Sequence, residues 1–502
     1  MRTLKITGSR RKLLCGATAL LVLAGCTVGP HYRPSAPPTV ATYNPEPQPK
    51  ATVTAPGRSG AAQQFSAAAD VPAQWWTLFR SPQIDRMVRE ALENSPTLTQ
   101  AMAKLKQAQE ESNARTGATK YPTASANVSV QREQVDLATF GVPFPSPPPF
   151  SLLNGSVAVS YALDLFGANR RLIEGLNAQA DYQNWQLQGA RLMLAGNVVS
   201  AAIRQAQLRS QIDITGQIIA LQEKTVSVAE QRYAAGGVSE YDVRSQRTAL
   251  AQMQALLPPL GQQLDVVNHQ LAILMGKTPA EAHVETLSLD NLNLPQELPL
   301  SMPSSMVRQR PDIRAAEALL HQASANVGVA TANMYPQIVL SGSVGGIGTS
   351  FTNGGDVWNV GASLAQPIFN GGALRAEKRK AVAAYDEAGS VYKETVLQAF
   401  REVADTLRAI EHDAQALQAR SEAAAQAQSA YQIASNRYAA GGISQVALLD
   451  AQRQQLQTAL DRVTDESNRY SDSATLFQAL GGGWWNEKRS TPTGGIPPGR
   501  VP

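Results

Sequence analysis

The side chains that most often carry enzyme chemistry are few in this sequence and stand far apart. The histidines are His31, His269, His283, His321 and His412, and no two of them have the spacing of ligands to one metal ion. Gly276-Lys277-Thr278 ends like a phosphate-binding loop, but Leu271 stands where that motif requires glycine. The nucleophile pattern Gly-x-Ser-x-Gly does not occur. The sequence therefore predicts neither an enzyme nor a metal site.

The two cysteines indicate export rather than disulfide or zinc chemistry, since they are too few for a disulfide-rich scaffold or a four-thiolate zinc module. Residues 1–25 combine a basic start with the apolar run Leu13 to Ala24, which predicts a signal peptide that also removes Cys15. Leu23-Ala24-Gly25-Cys26 resembles a bacterial lipobox. That resemblance implies a diacylglycerol and an N-acyl chain on Cys26, with no other cofactor, and Thr27 after it favours sorting to the outer membrane. The alternative is an ordinary signal peptide with a chance cysteine.

The basic character of the chain comes largely from this leader. The 502 residues include 44 Lys+Arg and 40 Asp+Glu, with a pI near 9.0. Removing residues 1–25 leaves 39 basic against 40 acidic residues, a net charge of −1. We therefore expect no nucleic-acid partner. Residues 26–70, rich in Pro, Ala, Thr and Ser, predict a lipidated, extended tether or a disordered segment.

The rest of the chain is an internal duplication. Arg232-Tyr-Ala-Ala-Gly-Gly-Val-Ser239 recurs 205 residues later as Arg437-Tyr-Ala-Ala-Gly-Gly-Ile-Ser444, with seven of eight positions identical. Tyr121-Pro122 likewise corresponds to Tyr335-Pro336, and Leu165-Phe166-Gly167 to Ile368-Phe369-Asn370. The predicted domains are a first repeat over 71–280 (hairpin 122–166, long helices 168–275), a linker over 281–304, a second repeat over 305–483 (hairpin 336–369, long helices 373–480) and a flexible tail over 484–502.

Each repeat contains two stretches with the period-two alternation of β-strands. The four stretches are Ala124 to Val130, Ser156 to Leu165, Ile338 to Val344 and Trp358 to Leu364. Turn-rich loops are predicted between partners, at Asp136 to Phe150 with five prolines and at Gly345 to Asp356 with five glycines. Four strands cannot close a membrane barrel, which needs about eight. Either several chains assemble one barrel, or the hairpins are soluble and pack on the helices.

Two proline-free stretches predict very long helices. Ala168 to Ala235 and Ala373 to Ala440 are 68 residues each and end at Gly236-Gly237 and Gly441-Gly442. A helix resumes after each pair of glycines and returns. Pro258-Pro259 predicts a kink in the first return only, because Val463 and Thr464 occupy the corresponding positions.

Together these features resemble the TolC-like outer-membrane efflux proteins, in their lipoprotein branch (NodT/OprM-type outer-membrane factors of resistance-nodulation-division pumps). Trp75-Trp76-x-Leu-Phe79 and Leu448-Leu-Asp-Ala-Gln-Arg453 add to the resemblance, which covers about residues 70 to 483. It implies a mainly α fold with transmembrane β structure. Four strands per chain would contribute to a trimeric 12-stranded barrel in the outer membrane, above a long periplasmic α-helical barrel. The two loops would be extracellular, and the linker would lie in a belt around the tunnel.

The resemblance also places functional residues near the two Gly-Gly turns. It implies a periplasmic gate at Asp242, Tyr438, Val446, Asp450 and Arg453. Asp242 has an alternative role, since Ser239-x-x-Asp242 has the spacing of a helix-capping box. Ala447 corresponds to Asp242 in the second repeat, and Ile443 is apolar where some family members carry arginine, so a less charged lock is expected. A periplasmic adaptor would dock on the turns, at Arg232, Tyr233, Gly236, Gly237, Ser239, Arg437, Tyr438, Gly441, Gly442 and Ser444.

The predicted function is therefore the exit duct of a tripartite efflux pump in the outer membrane. Its expected partners are two further copies of the chain, the adaptor, an inner-membrane resistance-nodulation-division pump and outer-membrane lipid. It would conduct drugs or other small solutes passively. The alternatives are the same fold in metal-ion efflux or type I secretion, and a structural coiled-coil lipoprotein without a pore.

Overall fold

The computed structural model describes residues 27–36, 38–67, 69–136, 141, 148–350 and 352–486. The predicted signal peptide and Cys26 lie outside the described residues. The chain divides into two compact units that cut across the sequence repeats. One contains the described residues up to Ser35 with 103–184 and 315–393; the other contains 36–102, 185–314 and the described residues from 394 onward.

Within the described residues there are nine α-helices and six β-strands. The helices are α1 (Pro82–Asn94), α2 (Pro96–Lys120), α3 (Ala168–Ala234), α4 (Glu240–Gln254), α5 (Leu257–Leu274), α6 (Pro303–Gln309), α7 (Pro311–Ala332), α8 (Ala373–Ala439) and α9 (Gln445–Ala479). The strands are β1 (Gln64–Ser66), β2 (Thr123–Glu133), β3 (Phe150–Leu163), β4 (Glu297–Pro299), β5 (Gln337–Ser350) and β6 (Asn353–Ala365). None of these helices has a stretch apolar and long enough to cross a membrane.

The first unit contains an antiparallel sheet in the order β2-β3-β5-β6. All four strands were predicted, and each is longer than its alternating stretch. The predicted loop Gly345 to Asp356 is wrong, because β5 continues to Ser350 and β6 starts at Asn353. Glycines misled the prediction: Gly348 faces Gly354 in the ladder, and a Cβ on Gly348 would lie 2.4 Å from the carbonyl oxygen of Asn353. The other predicted loop, Asp136 to Phe150, lies mostly outside the described residues.

The register gives this sheet one apolar and one mainly polar face, since residues opposite each other point to the same side. Exposed apolar side chains on the first face are Val128, Val130, Val157, Val159, Leu340, Val344, Trp358, Val360 and Leu364. On the other face, Asn359 Nδ2 donates to Ser343 Oγ at 2.8 Å, and the Thr123 and Ser160 hydroxyls lie 2.9 Å apart. The apolar face is solvated in a single chain and is suited to lipid.

The long helices follow the prediction closely, since α3 and α8 are 67 residues each. The first return is broken between Gln254 and Leu257, just before Pro258-Pro259, whereas α9 runs unbroken for 35 residues. Proline lacks the backbone donor that a helix interior needs, which explains the difference.

The second half of the predicted tether is not free. In the second unit β1 pairs in parallel with β4, and Thr52, Ser59 and Gln63 are buried. The sequence missed this because the anchor is one distant side chain, Arg469 of α9, which is 1% exposed.

Arg469 holds this segment through backbone and amide oxygens. It donates to the Ser59 carbonyl, to the Ala61 carbonyl at 3.0 Å and to Gln63 Oε1 at 3.1 Å. Burial lowers the pKa of Arg469 to about 10, so it stays charged at neutral pH. A buried charge needs such partners to offset its lost hydration.

The predicted flexible tail also begins too early. Trp484–Asn486 form a short 3-10 helix, and Trp484 Nε1 donates to the Gln309 carbonyl at 2.7 Å. The Trp484 ring packs edge-on against Trp185, 5.2 Å between centroids. Residues 487–502 lie outside the described part of the chain. Trp75, at the start of the resemblance, is fully buried and stacks on Phe477.

We predict that Arg469→Ala releases the segment 52–66. The substitution leaves several buried acceptors unpaired, each costing about 1–3 kcal/mol. Hydrogen exchange followed by mass spectrometry should show at least about tenfold faster exchange in this segment, corresponding to 1.4 kcal/mol or more. The control is Arg89→Ala, because the Arg89 side chain is about half exposed and lies outside the anchored segment. Equal exchange in both variants would contradict the anchoring role.

Candidate functional site at the two helix returns

The repeated eight-residue motif builds the same turn twice. At the end of α3, Gly237 N donates to the Arg232 carbonyl at 2.7 Å and Gly236 N to the Tyr233 carbonyl at 2.9 Å. At the end of α8, Gly442 N donates to the Arg437 carbonyl at 2.8 Å and Gly441 N to the Tyr438 carbonyl at 3.0 Å. These are the paired bonds of a Schellman motif.

Glycine is required at one position of each turn. Gly236 and Gly441 have φ of +73° and +79°, the left-handed region that residues with a Cβ avoid. The motif therefore reverses the chain through backbone geometry alone. Its side chains are left to make other contacts.

Asp242 caps the helix that follows the first turn. Asp242 Oδ2 accepts from Ser239 N at 2.9 Å and from Ser239 Oγ at 2.8 Å, while Asp242 N donates to Ser239 Oγ at 3.2 Å. The capping-box alternative is thus confirmed. In the second return Ser444 Oγ accepts from Ala447 N, and alanine cannot complete the box.

Arg232 joins the first turn to the second. Its Nη1 donates to the Tyr438 carbonyl at 2.9 Å, and its guanidinium lies 5.3 Å from the centroid of the Tyr438 ring. Tyr438 is 5% exposed and packs with Tyr431 and Leu448. Burial raises the pKa of the Tyr438 phenol, and the Arg232 charge opposes that rise. The contact combines a charged hydrogen bond with a cation–π interaction.

A second bond between the turns comes from Gln445, whose Nε2 donates to the Asp242 carbonyl at 2.6 Å. Sequence reasoning missed Gln445, because the equivalent position in the first repeat is Glu240 and the acceptor is a backbone oxygen. Sequence reasoning named Arg232 as an adaptor-docking residue but did not predict its hydrogen bond to the Tyr438 carbonyl. The two turns are therefore tied together by Arg232 and Gln445.

Asp450 and Arg453 form a separate pair on α9. Arg453 Nη2 lies 2.7 Å from Asp450 Oδ1, and the side chains are 72% and 63% exposed. Val446 is exposed too. In the described part of the chain, neither charged residue is hydrogen-bonded to Asp242, Tyr438 or Val446. The structure thus places Asp242 and Tyr438 within the contact between the turns, and Val446, Asp450 and Arg453 on an exposed surface beside it.

The contacts described at the two turns are helix caps, hydrogen bonds and side-chain packing. Among the described residues, no three side chains of histidine, cysteine, aspartate or glutamate come together to hold a metal ion.

Comparison with known proteins identifies the family. The family model for outer membrane efflux proteins matches residues 87–277 and 302–482. This chain belongs to the outer membrane efflux protein family. The matched segments cover most of each repeat, so both repeats carry the relationship.

Individual relatives agree. The chain is 31% identical to the pyoverdine export outer membrane protein OpmQ of Pseudomonas aeruginosa, over 83% of this chain and 88% of that protein. It is 29% identical to the toluene efflux pump outer membrane protein TtgI of Pseudomonas putida, over 93% and 97%. The structure of the outer-membrane channel OprN superimposes with a TM-score of 0.82 and 28% identity, over 91% of this chain and 100% of that one.

These relationships confirm the predicted family, fold class, function and outer-membrane location. This outer membrane efflux protein is the outer-membrane channel component of an efflux pump. They give no support to a coiled-coil lipoprotein without a pore.

We predict that Arg232→Ala loosens both turns. A hydrogen bond from a charged donor contributes about 1.5–3 kcal/mol. Amides of residues 236–246 and 441–448 should therefore exchange about tenfold faster or more. Arg244→Ala is the control, because the Arg244–Glu240 pair is exposed and such pairs contribute little. If Arg232→Ala leaves exchange as slow as the control, Arg232 does not join the turns.

Proposed function

We propose that this efflux protein works as a homotrimer, forming a passive exit duct fed by a periplasmic adaptor and an inner-membrane resistance-nodulation-division pump. The observation that carries the proposal is the sheet: an apolar face with unpaired outer strands, β2 and β6. Unpaired backbone groups cost several kcal/mol each in lipid. Four strands are too few for closure, and three copies supply the twelve that the family resemblance implies.

A lipid anchor at Cys26 fits the structure around the residues that follow it. Val28 N donates to the Phe166 carbonyl at 3.2 Å, just beyond the end of β3. Val28, two residues after Cys26 in the sequence, therefore lies where the sheet gives way to α3. Acyl chains there would enter the same leaflet that the strands leave. We propose the diacylglycerol and the N-acyl chain as this anchor.

The transported compounds are proposed by class. The relatives named above export pyoverdine and toluene. We propose small organic solutes, including drugs, with the energy supplied by the pump and no chemical step in this chain. Metal-ion efflux or type I secretion by the same fold is the competing proposal.

A deletion strain tests the function. Loss of the gene should raise susceptibility to several organic drugs or solvents, and the wild-type gene should restore resistance. The same panel includes copper, silver and zinc salts. Greater susceptibility to metal salts alone would favour metal-ion efflux. An unchanged profile in cells that express the gene would contradict drug efflux.

We further propose that the surface beside the turns forms the gate. Val446, Asp450 and Arg453 would approach their counterparts around the threefold axis, and Asp242 and Tyr438 would act from the contact between the turns behind them. Converging Asp450 carboxylates would repel each other unless the neighbouring Arg453 cations neutralise them. Adaptor docking on the exposed turns would then favour the open state by differential binding.

We predict that Asp450→Ala makes the closed channel leakier, because Arg453 loses its partner and the unpaired Arg453 cations of the copies would then repel one another. Resting conductance of the purified protein in a planar bilayer should rise about twofold or more. Glu377→Ala is a matched control. Glu377 and Lys380 form another exposed (i, i+3) pair, but near the start of α8, far in sequence from the helix returns. Unchanged resting conductance for Asp450→Ala would contradict the role of Asp450 in the gate.

A further inference from the structure

The duplication makes the strand pair β3–β5 inside the chain equivalent to a pair formed by the two outer strands, β6 and β2. By the repeat, β2 corresponds to β5, since Tyr121 and Tyr335 are equivalent and 214 residues apart. In the same way β3 corresponds to β6, since Phe166 and Phe369 are equivalent and 203 residues apart. The central pair β3–β5 joins the two repeats. Its equivalent would join β6 of one copy to β2 of another.

The register of that second pair follows from the first. Val157 lies opposite Val344 in β3–β5. Their repeat equivalents are Val360 in β6 and Val130 in β2, so all four positions are valine. Val360 and Val130 are 82% and 67% exposed in the single chain.

This register also keeps the faces of the sheet continuous. It sets Val360, Ala362 and Leu364 opposite residues of β2 that share the apolar face, namely Val130, Val128 and Ala126. It sets Asn359, Gly361 and Ser363 opposite Gln131, Ser129 and Asn127 on the polar face. A slip of one residue would turn one edge's valines toward the polar side.

The aromatic contact next to the sheet supports the same correspondence. Phe166 stacks on Tyr335 with 4.7 Å between ring centroids. The equivalent rings, Phe369 and Tyr121, are 90% and 59% exposed, and Ile368 beside Phe369 is also bare to solvent. When the pairing of Val360 with Val130 is continued along the two strands, Phe369 comes opposite Tyr121. Exposed aromatic and aliphatic side chains at these positions are suited to a partner that covers them.

Charged residues near the other end of β2 and β6 are also complementary in this register. The register places Arg132 of β2 opposite Trp358 of β6, with Asp356 at the diagonal position on the same face. A guanidinium beside an indole ring and within diagonal reach of a carboxylate is a favourable arrangement. Both ends of the seam are thus complementary in one register.

We propose that β6 of one copy pairs antiparallel with β2 of a second copy in the register that sets Val360 opposite Val130, with Phe369 and Ile368 covering Tyr121. This assignment rests on the proposed assembly of several copies into one channel. Closure of that channel already requires β6 to meet β2; the proposal adds the residue-by-residue register of this pair.

Cysteine cross-linking tests the register. Val360→Cys is combined in one chain with Val130→Cys, or with Val128→Cys or Arg132→Cys, and cells are oxidised with copper phenanthroline. The predicted signal removal and acylation leave no other free thiol. The Val130→Cys pair should give about fivefold more covalent dimer and trimer on a non-reducing gel than either shifted pair, because a disulfide needs Cβ atoms about 4 Å apart.

The repeat supplies the positive control. Val157→Cys with Val344→Cys occupies the equivalent in-chain positions and should lose free thiol on oxidation without forming covalent oligomers. Oligomers with a maximum at Val128→Cys or Arg132→Cys, or with equal yields at all three positions, would overturn the register while leaving the channel assembly intact. A chain that stays monomeric in mild detergent and cross-links at no position would overturn the assembly itself.

The aromatic contact is tested separately by heating the purified oligomer. Phe369→Ala and Tyr121→Ala should each lower the temperature at which it dissociates, and the double variant should lower it by less than the two effects added together. Full additivity would overturn the contact between Phe369 and Tyr121.

Discussion

Backbone N–H and C=O groups must be paired before the apolar face of the four-stranded sheet can enter a bilayer. Within one chain the central strands β3 and β5 meet this requirement on both sides, and β2 and β6 meet it on one side each. The valines and the tryptophan of the apolar face gain nothing from lipid until the outer edges are also closed. The duplication can meet this requirement, because the same type of strand pair can form both inside a chain and between chains.

The duplication is nevertheless imperfect, and the two helix returns show departures from it. The first return has a full capping box and a break before Pro258, whereas the second has Ala447 in place of the capping acid and an unbroken helix. Arg232 and Gln445 join the two returns by unlike bonds. The two returns therefore differ in their side-chain contacts, even though their backbone turns are the same.

Much of this architecture can be predicted because its causes are local. Period-two alternation marks the strands, the absence of proline marks α3 and α8, and paired glycines mark the turns. Prediction fails where the partner is distant or is a backbone atom. The contacts of Arg469 with the segment 52–63, the bond from Trp484 to Gln309 and the bond from Gln445 to Asp242 leave no pattern in the sequence. Gly345 to Asp356 failed for another reason, since glycines that normally signal a loop here allow close approach within a ladder.

The contact of Arg469 with Ser59 has a consequence for biogenesis. The two residues are 410 positions apart. A chain that crosses the inner membrane from its N-terminus delivers Ser59 to the periplasm long before Arg469 arrives. Until then water satisfies the carbonyl groups of the early segment, which is anchored only when nearly the whole polypeptide has been translocated. This part of the protein cannot fold in the order in which it is delivered. The segment around Ser59 can reach its final structure only after the segment that contains Arg469 has emerged.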